Sequence, residues 1–305
     1  MSQTPRRGRQ TLGWLLGLAT LGLGVLIVSG LASAVADPLR RETTLALPGI
    51  CAGTPPYRVA LLSDIHFGNR AMTAGRLARI VTQVNAAQPD LVVIVGDFVN
   101  GRDRRFESDL ATLTAPLSQL RARDGVVATL GNHDHWTAPQ RVRHALAAAK
   151  IEVLANRPVA RGPVTVLGLD DDYSGHADLA AAMALLPADR RPVIAITHSP
   201  DIAARLPSTI RLALAGHTHC GQVVLPGIGS MAPLFGKLVG DRHYFNPRYL
   251  CGVVREGPRT TIVTAGLGSG TIPVRIGAPP DWWLVKLAAP EAVPMARRNG
   301  SAAAR

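Results

Sequence analysis

Cysteine is scarce in this chain: its 305 residues hold three, Cys51, Cys220 and Cys251. An odd trio does not make a disulfide framework, so a small domain held together by bridges is excluded. One pair is free to form, and nothing in the spacing selects it. Internal repeats and heptad runs are also absent, which excludes solenoids and long coiled coils. Basic residues outnumber acidic ones, 33 to 21, for a net charge of +12. They form no concentrated strip, which argues against nucleic acid as a partner. Part of the excess lies near the ends. Residues 1–41 carry Arg6, Arg7, Arg9, Arg40 and Arg41 against Asp37, and residues 286–305 carry Lys286, Arg297, Arg298 and Arg305 against Glu291. The mildly positive middle suits an anionic substrate or an anionic lipid surface.

Charge is missing altogether from Thr11 to Ala36. That run exceeds the roughly 20 residues a helix needs to cross a hydrocarbon core. Residues 1–10 then read as a cytoplasmic N-terminus, because Arg6, Arg7 and Arg9 precede the span. Residues 11–36 read as a transmembrane anchor or a signal sequence. Ala34-Val35-Ala36 is an acceptable cleavage site, but the apolar run is long for a signal peptide. Residues 37–56 read as a linker with a leading strand at Thr43–Leu47, and the tail 291–305 as disordered.

Apolar residues make up 47% of the chain, enough for a sizeable core. Five short apolar runs end in polar residues. Arg58–Ser63 leads to Asp64-Ile65-His66, and Asp90–Val95 to Gly96-Asp97. Val126–Leu130 leads to Gly131-Asn132-His133-Asp134, Pro192–Thr197 to His198, and Leu212–Ala215 to Gly216-His217-Thr218-His219. Unbroken β-branched runs of this length are strands buried on both faces. Layered α/β proteins place their sites at the C-terminal ends of such strands. In an extended chain His217 and His219 point the same way, as metal ligands would. Between the first two runs, Thr73 caps a helix whose Leu77, Ile80, Val81 and Val84 share a face, so those strands are parallel.

Those five motifs resemble the calcineurin-like metallophosphoesterase signature, and the segment through Gly221-Gln222 and Thr264–Gly268 resembles its bacterial membrane-associated phosphodiesterase branch. The resemblance implies an α/β (α+β) domain at residues 57–290, folded as a four-layer α-β-β-α sandwich behind the N-terminal helix. It implies a phosphoester hydrolase, expected to be a phosphodiesterase, whose nucleophile is a metal-bound hydroxide. Two divalent ions follow. Asp64, His66, Asp97 and His219 would hold one, and Asp97, Asn132, His198 and His217 the other. Carboxylate, imidazole and amide donors suit Mn2+, with Fe2+ or Zn2+ as alternatives. His133 would protonate the leaving oxygen or steady phosphate charge, and Asp134 would orient it. Asn100 stands where purple acid phosphatases carry a tyrosine, which argues against a tyrosinate-bound ferric ion.

The charged stretch after Asn100, with Arg102, Arg104 and Arg105, reads as a loop that meets the phosphate or a solvated run. Asn100 and Arg102 are the candidate substrate contacts. Asp170-Asp171-Asp172 reads as loop and cap, and Cys220 as a small residue behind the ligands. Helices are expected near 106–121, from Thr137 and near 177–186. Strands are expected at Ile151–Leu154 and Val164–Leu169. Val223–Leu225, Thr260–Thr264 and Trp283–Leu287 are expected in a second sheet. Pro226–Tyr249 reads as a loop at the site mouth that touches lipid or packs on itself. The expected partners are a phosphoester small molecule or lipid and the membrane, for a monomer in a bacterial inner membrane with its body outside the cytoplasm. A UDP-2,3-diacylglucosamine pyrophosphatase-like enzyme and a non-catalytic scaffold of the same fold are the alternatives.

Overall fold

The computed structural model of the chain describes residues 6–68, 70–101, 110–234, 246–270 and 272–290. An apolar helix, α1 (Arg6–Val35), comes first and is long and apolar enough to cross a membrane. Behind it two six-stranded sheets face each other. The first sheet contains β1 (Leu39–Ala46), β2 (Tyr57–Leu62), β3 (Leu91–Val95), β4 (Val126–Thr129) and β5 (Ile151–Val153). The second contains β6 (Arg157–Arg161), β7 (Val164–Gly168), β8 (Val193–Ile196) and β9 (Leu212–Ala215). A hairpin of β10 (Val224–Leu225) and β11 (Gly229–Ser230) stands apart. β12 (Gly252–Glu256) and β13 (Arg259–Val263) complete the second sheet, and β14 (Asp281–Ala288) returns to the first. The orders are β1-β14-β2-β3-β4-β5 and β12-β13-β9-β8-β7-β6.

Three apolar cores separate four layers. Helices α2 (Ala74–Ala86), α3 (Leu110–Leu117) and α5 (Pro139–Ala148) cover the outer face of the first sheet through Leu77, Ile80, Leu113, Val142 and Leu146. The inner faces meet through Leu61, Val93 and Val127 against Val166, Ile194 and Leu214. The outer face of the second sheet is covered by α6 (Leu179–Ala184) and the 3-10 turn Pro200–Arg205. This is the α-β-β-α sandwich. Strands β2, β3 and β4 run parallel, as do β7, β8, β9 and β13. The five polar motifs therefore emerge at the C-terminal ends of β2, β3, β4, β8 and β9.

Thr73 caps α2 by accepting the Arg76 N–H, and Leu77, Ile80, Val81 and Val84 are its buried face. Three expectations fail. Trp283–Leu287 joins the first sheet, between β1 and β2, because its alternation lets Leu284 and Trp282 face one core and Val285 and Leu287 the other. Val223–Leu225 pairs locally with Gly229–Ser230 instead of joining the second sheet. Thr137 does not cap α5; its hydroxyl donates to the Gly101 and His133 carbonyls. Residues Asn132–Thr137 form a short helix, α4. The expected features at Arg102, Arg104, Arg105, Phe235, Leu238, Val239 and the tail 291–305 lie outside the described residues.

Candidate metal centre

Each of the two site carboxylates spends one oxygen on the scaffold and turns the other inward. Asp64 Oδ2 accepts from the Ser63 hydroxyl at 2.5 Å and the His217 N–H at 3.0 Å. Its buried Oδ1 has no hydrogen-bond partner. Asp97 Oδ1 accepts the His133 N–H at 2.9 Å. Its Oδ2 stands 3.5 Å from His66 Nε2 and 3.3 Å from His198 Nε2.

Two clusters share that Asp97 oxygen. In one, His66 Nε2 lies 3.0 Å from His219 Nε2, and Asp64 Oδ1 lies 3.4 Å from His219 Nε2 and 3.8 Å from His66 Nε2. In the other, His198 Nε2 lies 3.1 Å from Asn132 Oδ1 and 3.2 Å from His217 Nδ1. Donors about 2.0–2.2 Å from one ion, at tetrahedral or octahedral angles, stand roughly 3.0–3.5 Å apart. An unpartnered buried carboxylate oxygen facing two imidazole nitrogens is also poor packing for a site without a cation. The residues fit two divalent ions bridged by one carboxylate.

The backbone is bent to make this possible. Ten non-glycine residues among those described have positive φ, and Asp64, His66, Asp97, His217, His219 and Cys220 are six of them. Asp and His tolerate this region better than most residues, but such strain persists only where the surroundings impose it, and it gathers at functional sites. The motif glycines have the matching steric reason. A Cβ on Gly96, at φ +78°, would lie 2.6 Å from His198 Nδ1, and one on Gly216 would lie 1.9 Å from Ser63 Oγ. This bending also overturns the extended reading of His217 and His219. Strand β9 has ended at Ala215, and the two rings serve different clusters.

Charge is distributed unevenly. Burial alone would raise Asp97, but the His198 and His133 imidazoles hold it well below the usual carboxylate range. Burial alone would lower His198, but Asp97 carries it well above the usual imidazole value. Burial keeps His219 well below it, with His66 and Arg275 pushing the same way. Burial also pulls His133 down to about 4, so its ring is neutral near pH 7. That ring meets His66 edge-on at 4.8 Å and tilts against Trp136 at 5.4 Å.

Asp134 does not bond to the His133 ring. Its Oδ1 accepts the Phe98 and Val99 N–H groups and its Oδ2 the Gly131 N–H, so it straps the β3 loop to the start of α4. Asp134 is the third residue of α4, and a carboxylate there reaches back to the cap at Gly131. Asn100 is half-buried and its N–H donates to the Phe67 carbonyl, while Arg102 lies outside the described residues. Asp170 accepts from Arg143 and pairs with His135 at 2.8 Å, and Asp171 accepts the Ser174 N–H, so the aspartate run serves the loop.

Cys220 is bonded to Cys251, which ties the turn after His219 to the chain just before β12. Closing a loop of 31 residues stabilises the folded chain by about 3–4 kcal/mol in the chain-entropy account. Three further residues shape the site without a motif to announce them. Tyr173 lies 4.6 Å from the His217 ring and Trp136 6.0 Å from Tyr173. Arg275 is fully buried, with Nη2 3.0 Å from His219 Nδ1. The one visible signal for Arg275 was a charge inside the apolar stretch Ile272–Ile276.

The layers and the paired donor clusters define a protein built to hold divalent metal at one end of its sheets. The family model described as "Calcineurin-like phosphoesterase" matches residues 57–221, and the chain belongs to that family. It is 32% identical over 282 residues to the "Transmembrane protein with metallophosphoesterase domain" of Danio rerio, which covers 86% of this chain and 60% of the relative. It is 29% identical to the "Uncharacterized metallophosphoesterase YkuE" of Bacillus subtilis (strain 168), over 79% of this chain and 82% of that one. The chain thus spans about three fifths of the vertebrate relative. Among solved structures, a dimetal phosphatase from Danio rerio is 14% identical, covers 72% of this chain and 90% of that chain, and superposes with a TM-score of 0.44. One apolar N-terminal helix and relatives named as transmembrane proteins point to membrane association.

Proposed function

We propose that this chain is a dinuclear-metal phosphodiesterase. The observation that supports it is the Asp97 oxygen shared by two clusters, which suits the bridging ligand of a metal pair. In this reading Asp64, His66, Asp97 and His219 hold one ion, and Asp97, Asn132, His198 and His217 the other, with Mn2+ preferred. A bound pair supplies Lewis-acid charge and an activated water. The protein's own part is positioning. Asp97 and Asp64 keep their inward oxygens fixed through the backbone bonds on their other oxygens. His133, half-buried beside His66, would give a hydrogen bond to a phosphate oxygen or, once protonated, a proton to the leaving oxygen. A chelated preparation given Mn2+ back should hydrolyse bis(p-nitrophenyl) phosphate faster than p-nitrophenyl phosphate. Preference for the monoester would overturn the diesterase assignment, and inactivity on every phosphoester would favour the scaffold reading.

Loss of His133 should separate binding from chemistry. His133→Ala should keep both ions yet lower kcat by about 10²–10⁴-fold, with KM little changed. An alkyl diester should lose more than an aryl one, since its leaving group needs the proton more. A fall in metal content would instead make His133 a ligand.

The same reading places the body outside the cytoplasm of a bacterial inner membrane, as a monomer. Arg6, Arg7 and Arg9 precede the span, and the Cys220–Cys251 bond suits an oxidising compartment. A UDP-2,3-diacylglucosamine pyrophosphatase would need access to the cytoplasm, where that bond is disfavoured. A phosphatase reporter joined after Arg305 should therefore be active in the periplasm. Activity confined to the cytoplasm would reverse the orientation and restore the nucleotide-lipid substrate.

A further inference from the structure

The anchor helix is seated against the segment that supports the metal centre. The Gly30 carbonyl accepts the Arg275 N–H at 2.9 Å. A Cβ on Gly30 would stand 2.7 Å from Val274 Cγ1 and 3.0 Å from Ile276 Cγ1, so α1 lies in a notch between those side chains. Ala34 is fully buried, and Arg76 Nη2 donates to the Ala36 carbonyl at 2.6 Å, which fixes the helix end.

This contact sets the depth of the site. At about 1.5 Å per residue, the roughly 30 Å of hydrocarbon is filled by about 20 residues. Counted from the start of the candidate span at Gln10, that length ends close to Gly30. Gly30 then lies at the hydrocarbon edge, and Val274–Ile276 at the level of the lipid headgroups. From the Gly30 carbonyl the path to the metal centre is one hydrogen bond, one arginine and the 3.0 Å contact to His219 Nδ1. An extended arginine spans roughly 7 Å from N to Nη2, so the His219 ring is no more than about 13 Å from that edge. The headgroup layer on each side is itself about 5–8 Å thick.

Between anchor and metal centre stands an exposed apolar side chain. Ile272 is 56% exposed. Its carbonyl accepts from Gln222 Nε2, and Gln222 Oε1 accepts the Gly270 N–H. A Cβ on Gly270 would lie 3.7 Å from His219 Nε2. One short path thus joins α1, Ile272 and a metal-cluster histidine.

We propose that the metal centre opens onto the bilayer surface, with Ile272 in the lipid interface, and that the substrate is a phosphodiester in the headgroup of a membrane amphiphile. The proposal rests on the phosphodiesterase reading and adds where the substrate lies. The full chain, loaded with Mn2+ in phosphatidylcholine vesicles, should hydrolyse a p-nitrophenyl ester of phosphatidic acid held in the same vesicles. Ile272→Glu should slow that reaction at least tenfold and leave soluble bis(p-nitrophenyl) phosphate within twofold. Equal effects on the two substrates, or turnover of the soluble diester alone, would overturn the membrane site and leave the phosphodiesterase intact. Turnover of neither by the metal-loaded protein would sink both. An activity-independent readout is a nitroxide on Ile272→Cys in a Cys51→Ser background. It should be relaxed more by oxygen than by a water-soluble nickel chelate, and a label relaxed mainly by nickel would overturn the proposal.

Discussion

Replacing Asp97 by asparagine is expected to abolish turnover and to leave at most one ion per chain. Asp97 Oδ2 faces both imidazoles, at 3.5 Å from His66 and 3.3 Å from His198, while Oδ1 holds the His133 N–H. An amide keeps the size and can still accept that N–H, so the backbone should survive the change. What would be lost, in the two-ion reading, is the negative charge between the cations, and a neutral oxygen bridges metals poorly. Metal assistance contributes several kcal/mol to phosphoryl transfer, so a fall of about 10³-fold or more is expected. Metal analysis beside turnover decides the matter. Two tightly held ions in Asp97→Asn would contradict the bridging assignment.

The bridging role of Asp97 came from the family resemblance, but the motif positions themselves were legible because they are written in local chemistry. Strands buried on both faces read as unbroken apolar runs, and their C-terminal ends are where Asp64, Asp97, Asn132, His198 and His217 emerge. Helix α2 was legible for the same reason, with a cap and a periodic face. Other features depended on distance along the chain. Strand β14 carries the same pattern as any buried strand, and nothing local tells which sheet takes it. The Cys220–Cys251 pairing is a fact of tertiary proximity. Asp134 was misread because its neighbour in sequence, His133, is not its neighbour in hydrogen bonding. The local backbone is also hidden from composition. His217 and His219 differ in direction because both have positive φ, which no alternation rule includes. Buried arginines are the deepest omission. Arg259, bonded to the carbonyls of Ala203, Leu206, Pro207 and Ile210, and Arg275 both look like surface charges in the sequence.

Arg275→Met should both destabilise the fold and weaken one ion selectively. The guanidinium is fully buried, and burial pulls it down only to about 10, so it remains a cation at pH 7. It donates to the Ala265 carbonyl at 2.6 Å, to Gly268 at 2.5 Å from Nη2 and 2.8 Å from Nε, and to Ala278 at 3.0 Å. The Ala265 and Gly268 carbonyls belong to the turn that backs the first motif, where the Leu267 and Gly268 N–H groups donate to the Ser63 and Asp64 carbonyls. Methionine fills the space but leaves the carbonyls without donors. Breaking a buried polar network of this kind costs about 3–5 kcal/mol, or roughly 6–20 °C in Tm for a body of this size. Lysine should not rescue the loss, because one ammonium cannot reach carbonyls on three sides. The metal readout distinguishes a clamp from a positioning residue. Arg275 Nη2 lies against the His219 ring, so the ion that Asp64, His66 and His219 would hold in the proposed two-ion site should bind about 10–100-fold more weakly. The ion that Asn132, His198 and His217 would hold should be unaffected. Chelator titration of the variant should therefore release the two ions in well-separated steps. A lower Tm with both affinities unchanged would reduce Arg275 to a clamp on the turn.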